Sequence, residues 1–257
     1  MNVSNLAGRI GYPLAGVVIL VAVWWGYCVA FDVPTAVLPT PDKVAAAFVD
    51  RFDLLLKEGW VTLQETVLGF ALALAVGLPL AVAIANSRRL NLMFYPLLVG
   101  LQSVPKVALA PIVLVWLGTG LESKLAIVWL VAFFPIIIDT AAGLRSSPRE
   151  LIELARSLKA SPWQVFYKVQ FPAALPFVLT GAKVGITLAV IGAVIGEFMG
   201  SSAGLGYLLL SATSQMNTPL AFAALFALSF LGMAVYALVE LVEVLLAPWL
   251  PPKTHGH

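Results

Sequence analysis

The sequence predicts an all-α integral membrane protein with six transmembrane helices. Of its 257 residues, 61% are hydrophobic and only 11% are charged, and the mean hydropathy is +0.97. A soluble domain of this length cannot hide that much apolar surface. Six apolar runs of roughly 20 residues or more supply the spans, and we assign residues 1–257 to one transmembrane domain. The predicted spans are residues 12–31, 60–86, 90–117, 124–144, 173–198 and 219–247.

The basic residues predict the orientation of these spans. An even number of crossings places both termini on the same side. Of the 15 Lys and Arg residues, nine fall on the side of the termini, four fall on the other side, and Lys106 and Lys183 lie within spans. The positive-inside rule therefore predicts cytoplasmic termini. The nine are Arg9, Arg88, Arg89, Arg145, Arg149, Arg156, Lys159, Lys168 and Lys253, and the four are Lys43, Arg51, Lys57 and Lys124.

The first span and the segment after it contain no residue pattern that predicts a catalytic or metal-binding site. Cys28 is the single cysteine and has no metal-ligand spacing around it, so we expect neither an internal disulfide nor a metal site. The run ends at Asp32-Val33-Pro34 rather than at a small-residue cleavage site, so we expect it to be retained. Residues 40–57 are too short and too polar to cross a membrane, and we expect an interfacial helix on the outer surface.

Spans two to four indicate close packing and one break. Gly69 and Gly77 in span two are typical of helices that pack tightly, and Pro79 predicts a kink there. Span three is interrupted at residues 102–106. Such a break is tolerated only in a protein interior or beside a water-lined cavity. Span four ends near Asp139, where we expect a structural role for the carboxylate.

Residues 147–172, SPRELIELARSLKASPWQVFYKVQFP, are the longest polar interruption in the C-terminal two-thirds of the chain. Two helix starts are predicted, each with a capping serine (Ser147 and Ser161) before a proline. Both short helices are amphipathic. The segment is either a loop that packs on its own bundle or a docking platform for a soluble partner. The two apolar stripes are Leu151, Leu154, Ala155 and Leu158, then Trp163, Phe166, Tyr167 and Gln170.

Span five contains Lys183 and ends at Glu197. A glycine-rich turn with a short re-entrant or surface helix should follow, and span six closes with Glu240 and Glu243. We expect the tail at 251–257 to be disordered. Its two histidines are the only ones in the chain. With no P-loop sequence and no H-E-x-x-H, the chain offers no catalytic residues and no site for a metal or cofactor, which argues against an enzyme.

Polar residues inside the membrane are candidates for a solute pathway because placing them there is costly. We select Gln102, Ser103, Lys106 and Glu197. Lys106, beside the break in span three, would favour an anionic solute, or it snorkels or pairs with a carboxylate. Glu197 lines the path or pairs with a cation. Lys183 lies near enough to the cytoplasm to snorkel.

Residues 147–172 resemble the signature loop of permease subunits of bacterial binding-protein-dependent ABC importers, which reads E-A-A, three residues, G, nine residues, I-x-L-P. Glu153-Leu154-Ala155 matches its start and Val169-Gln170-Phe171-Pro172 its end, while Leu154, Lys159 and Phe171 depart from it. The segment at 101–111 and Gly204-Leu205-Gly206 after Glu197 look like the nitrate/sulfonate/taurine branch. The resemblance covers residues 10–247.

The resemblance implies a type I ABC importer permease fold and a multi-pass protein of the bacterial inner membrane. It implies a homodimer, two cytoplasmic ATPase subunits that bind the ATP and magnesium, and an external solute-binding protein. No cofactor is expected in this chain. The solute would be a small anion (a sulfonate, nitrate or carboxylate) or an aromatic or heterocyclic compound. The residues expected to contact the ATPase are Glu150, Glu153, Leu154, Ala155, Arg156, Leu158 and Lys159.

Three alternatives stay open. One is a stand-alone secondary carrier driven by an ion gradient, which would transport without ATP. Another is a membrane enzyme. The subunit could also pair with a related permease rather than with itself.

Overall fold

The computed structural model describes residues 3–246, with side chains from residue 11 onward. This part of the chain is helical and contains no β-strand. A 3₁₀ turn at Lys106–Leu109 precedes α5, and a π-helical turn at Phe166–Gln170 joins α8 to α9. The helices are α1 (Val3–Ala30), α2 (Pro41–Asp50), α3 (Phe52–Asn86), α4 (Arg88–Gln102), α5 (Ala110–Leu117), α6 (Leu121–Arg145), α7 (Arg149–Ser157), α8 (Pro162–Val165), α9 (Phe171–Gly200), α10 (Leu205–Ser214) and α11 (Thr218–Leu246).

The core is built on α6, which packs between α3 and α9. Its buried side chains include Val128, Ala132, Ile136 and Ile137, each at most 1% exposed. By contrast, only 6% of the apolar stretch of α1 is buried, so most of that stretch faces outward. A helix that is apolar on its outward face suits a lipid environment. The helices therefore divide into a packed centre of α3, α6 and α9 and a set of peripheral helices.

Helices α3 and α6 run parallel with a constant register. Glu65 pairs with Lys124, Gly69 faces Val128 and Gly77 faces Ile136, all at an offset of 59 residues. A Cβ added to Gly69 would overlap the side chain of Val128. The glycines of this span thus allow the close approach that the composition predicts.

Helix α9 runs antiparallel to α6. Gly181 meets Asp139 near one end of the pair, and Gly196 meets Lys124 near the other. Two ends of the bundle can therefore be named. The Glu197 end is where α3 and α6 begin and α9 ends, and the Arg145 end is the opposite one, where α7 and α8 lie.

The described residues supply five membrane-spanning helices, or six if the bent pair of α4 and α5 counts as one span. Five helices are long and apolar enough to span a membrane, and the pair Arg88–Gln102 and Lys106–Leu117 is bent by 90°. Because α3 and α6 are parallel, the chain between Asn86 and Leu121 has to return through the thickness of the bundle. The bent pair makes that return, which agrees with the six predicted spans and with the predicted break in span three.

Two boundaries differ from those predicted. The helix expected over 40–57 ends at Asp50, and α3 already begins at Phe52, because Arg51 leaves the helical conformation for one residue (φ −114°, ψ 24°). Helices α8 and α9 form one continuous helical segment, Pro162–Gly200, of 39 residues. The predicted disordered tail at 251–257 lies outside the described residues.

Candidate functional site

A buried polar cluster lies at the Glu197 end. Glu58, Thr62 and Glu65 of α3 share one face, and they meet Lys124 of α6 and Glu197 of α9. All five are buried, and Glu65 and Glu197 are each 1% exposed. Nζ of Lys124 lies 2.8 Å from Oε1 of Glu65 and donates to Oγ of Ser201 at 2.7 Å. A buried charge needs such partners, because an unpaired one would be strongly destabilising.

The same cluster caps the first turn of α10. Oε2 of Glu58 accepts a hydrogen bond from the amide of Gly204 at 2.6 Å. Oγ1 of Thr62 accepts one from the amide of Leu205 at 2.9 Å and donates to Oε1 of Glu197 at 2.6 Å. Oε2 of Glu197 accepts from the amide of Gly206. Three amides at a helix start, which have no partners within the helix, are thereby satisfied by α3 and α9.

Sequence reasoning missed most of this cluster. It grouped Lys124 with the cations of the outer surface and did not single out Glu58, Thr62 or Glu65. The available signal was their spacing of four and three residues, which puts them on one face of an apolar helix. In this structure the Glu197 carboxylate bonds to Thr62 and to the amide of Gly206, while Lys124 pairs with Glu65.

A cleft opens at the break between α4 and α5. Lys106 donates from Nζ to the carbonyl oxygen of Gln102 at 3.0 Å, and Nζ lies 4.9 Å from the ring centroid of Phe134. Within the described residues no carboxylate forms an ion pair with Lys106. Ser103 is exposed and does not line this cleft. The cleft has a volume of about 270 Å³ and is lined by Gln102, Lys106, Val131, Phe134, Pro135, Val184 and Leu188.

Lys183 behaves differently from Lys106. It forms an ion pair with Glu243 of α11, and its Nζ lies 5.7 Å from the ring centroid of Tyr236. The pair is partly exposed and joins α9 to α11. Lys183 is not among the residues that line the cleft at Lys106.

Helix α7 presents an apolar stripe away from the bundle. Leu151 and Leu154 are 49% and 56% exposed, and Leu158, directly after the helix, is 74% exposed. Ala155 is half-buried, and Glu150, Glu153 and Arg156 are exposed. A loop that packed back on its own bundle would have buried these leucines. Exposed apolar patches rimmed by charge mark interaction sites.

One of the two predicted helix caps is present. Ser161 and Gln164 form a capping box, with Ser161 N donating to Gln164 Oε1 at 2.8 Å and Gln164 N donating to Ser161 Oγ at 3.3 Å. The cap predicted at Ser147 is absent. Oγ of Ser147 instead donates to the carbonyl oxygen of Leu144 at 3.1 Å, so it serves the end of α6 rather than the start of α7.

Between α7 and α8, Lys159 adopts a left-handed backbone conformation with φ +58°. This exposed lysine occupies the position where the signature loop carries glycine. The turn needs a conformation that glycine adopts freely and a lysine adopts at a cost.

The sequence and the fold match known proteins. The profile of the family described as "Binding-protein-dependent transport system inner membrane component" matches residues 73–250. The riboflavin transport system permease protein RibX of Chloroflexus aurantiacus is 38% identical over 242 residues, covering 93% of this chain and 90% of its own length. The formylaminopyrimidine transport permease protein ThiX of Halalkalibacterium halodurans is 37% identical over 213 residues, covering 82% and 85%. An inward-facing structure of the MetNI methionine ABC transporter shares the fold, with a TM-score of 0.57, 24% identity, and coverage of 74% of this chain and 98% of that chain.

Proposed function

The chain belongs to the family of binding-protein-dependent transport system inner membrane components, and from this premise we propose that residues 147–172 couple solute passage to a separate ATPase. As a family member it is a multi-pass ABC importer permease for a small solute, and it is a transport component rather than an enzyme. The proposal concerns how the permease is driven and what it carries.

The exposed face of α7 is the single observation that carries the coupling proposal. Leu151, Leu154 and the adjoining Leu158 form an apolar ridge along this short helix, with charged residues beside it: Glu150, Glu153 and Arg156. A short amphipathic helix of this kind suits a groove on a partner protein. Ala155 and Lys159 complete the proposed contact, and Glu153 is its central charged residue.

The continuous helix from Pro162 to Gly200 supplies a route from this contact to the membrane. A partner that moved α7 would also move the capped start of α8, and α8 has no break before α9. A second cavity, of about 500 Å³, lies between this region and the end of α3. Val82 and Asn86 of α3 line it together with Arg156, Ala160 and Trp163. Movement of α7 would therefore reach α9, whereas α3 faces α7 and α8 across this cavity.

The partners and the orientation follow from the same premise. We place the Arg145 end and both termini in the cytoplasm of a bacterial cell, because the basic residues concentrate there. Two cytoplasmic ATPase subunits would dock there and bind the ATP and magnesium. The permease would pair with a second copy of itself, and an external solute-binding protein would deliver the solute at the Glu197 end.

For the solute we propose a small anion or a compact heterocyclic compound that passes the cleft at Lys106. The ammonium group would attract an anionic substituent, and the adjacent Phe134 ring offers a flat apolar surface. Gln102 lines the cleft and would supply hydrogen bonds inside it, and the exposed Ser103 would do so outside the cleft, at the break. RibX and ThiX are named for the transport of heterocyclic compounds, which is compatible with such a site.

Reconstitution into proteoliposomes tests the proposal. The permease with its ATPase should hydrolyse ATP faster when a loaded binding protein is added, and solute should accumulate only with ATP. The permease alone should show no uptake. Uptake by the permease alone under an ion gradient would favour a stand-alone secondary carrier and overturn the coupling proposal.

A further inference from the structure

Two glycines at the start of α10 make room for the carboxylate of Glu197. Gly204 has φ +107°, and a Cβ built on it would overlap the Glu197 carboxylate. A Cβ on Gly206 would lie 2.7 Å from Oε2 of Glu197. Any larger residue at either position would push the carboxylate away. The Gly204-Leu205-Gly206 sequence therefore admits Glu197 to direct contact with the backbone of α10.

Four elements meet at this carboxylate and its neighbours. Glu58 and Thr62 belong to α3, Lys124 to α6, Glu197 to α9, and the bonded amides to the start of α10. The cluster contains three carboxyl groups, those of Glu58, Glu65 and Glu197, but only one ammonium group, that of Lys124. The N-terminal end of α10 carries a partial positive charge that offsets part of this excess. Separating α10 from the cluster would leave buried acceptors without donors, which is costly.

The Arg145 end has no comparable network among the described residues. Its cross-helix bond from Arg145 to Asn91 (3.2 Å) is exposed, and the Lys183–Glu243 pair is partly exposed. Polar contacts open to water are worth less and open more readily than buried ones. The two ends of the bundle therefore differ in how far their polar contacts are shielded from water.

We propose that Glu197 is a positioning residue that locks α10 onto α3 and α9, so that the Glu197 end moves as one rigid body during transport. The helices would then diverge and close mainly at the Arg145 end, with the Glu197 end as a unit that tilts as a whole. The lock itself is a property of the chain alone. Its role in transport rests on the function proposed above.

Hydrogen exchange of the amides at 204–208 tests the lock without reference to transport. In the purified permease, Glu197→Ala should speed exchange there by about tenfold or more, since two hydrogen bonds to a carboxylate are lost. Glu197→Gln keeps one acceptor and should give an intermediate rate. Glu122→Gln, an exposed acid at the same end, is the control and should change nothing. Unchanged exchange in Glu197→Ala would overturn the lock.

Thr62→Val keeps the test decisive if Glu197→Ala does not fold. Valine has nearly the same shape as threonine but lacks the hydroxyl oxygen that accepts from the Leu205 amide, so hydrogen exchange at that amide should become faster. In the reconstituted complex, each variant should keep ATP hydrolysis but move less solute per ATP. Faster exchange with an unchanged ratio would overturn the rigid-body role. Absence of ATP hydrolysis in the unmodified complex would count against the proposed function and leave the exchange result standing.

Discussion

Nζ of Lys124 lies 2.8 Å from Oε1 of Glu65, and this ion pair joins α6 to α3 inside the bundle. The pair stands at the same offset of 59 residues as the contacts of Gly69 with Val128 and of Gly77 with Ile136. A shift of either helix by one residue would separate the charges and drive Val128 against a larger neighbour. Electrostatics and close packing therefore specify the same parallel register.

Removal of one charge from this pair should destabilise the protein. We expect Lys124→Met to cost about 3–5 kcal/mol in the free energy of unfolding, because Glu65 would be left buried without its cation. The double variant Glu65→Gln/Lys124→Met should recover most of the loss. Urea unfolding in detergent micelles measures both. Lys57→Met, at an exposed lysine, is the control, and equal effects at the two lysines would contradict the prediction.

Gly69→Ala should also destabilise the protein, by about 1–3 kcal/mol, because its Cβ would overlap Val128. Adding Val128→Ala should relieve the overlap and restore part of the stability. Gly232→Ala is a matched control, since nothing lies within 4 Å of a Cβ built there. Thermal unfolding of the purified variants compares them. Equal stability of the two glycine variants would argue against close α3–α6 packing.

Lys159→Gly should stabilise the turn between α7 and α8. The lysine has φ +58°, and glycine adopts that conformation without strain, so we expect a gain of about 1 kcal/mol. Lys168→Gly, at an exposed helical position, should instead cost about 1 kcal/mol. Unfolding midpoints give the sign of each change. A loss of stability in Lys159→Gly would show that the turn does not need the left-handed conformation.

Lys106→Met should weaken solute transport and leave assembly intact. With an anionic solute, loss of the ammonium group should raise the concentration for half-maximal uptake by roughly tenfold, which corresponds to about 1.4 kcal/mol. Lys106→Arg should retain most of the activity. The exposed Lys43, replaced by Met, serves as the control. Uptake that is unchanged in Lys106→Met would remove this lysine from the pathway.

The sequence is sufficient to predict the spans, the break near Ser103, and the polar segment with its capped helix at Ser161. These features depend on local composition and on residues a few positions apart. The cluster around Glu197 could not be predicted in the same way. It depends on the register of α3 against α6 and of α9 against both, and Thr62 meets Glu197 across 135 residues of sequence.

Patterns of neighbouring residues also fail to predict the structure at two short segments beside long helices. Ser147 fits the pattern of a helix cap, but it lies directly after α6 and bonds back to Leu144. Arg51 has no breaking residue beside it, and yet it separates α2 from α3. In both cases the outcome involves the adjoining long helix, and the sequence of the short segment alone does not predict it.

The central claim is that α7 transmits ATP-driven motion to the spans, and Glu153→Lys tests it most directly. Glu153 is exposed, so its replacement should leave insertion and folding unchanged. The measurement is solute uptake per ATP hydrolysed in proteoliposomes that contain the permease, its ATPase and a loaded binding protein. Glu122→Lys, an exposed acid at the opposite end, is the control. We predict that Glu153→Lys abolishes coupled uptake while the control retains it, and normal coupled uptake in Glu153→Lys would contradict the account.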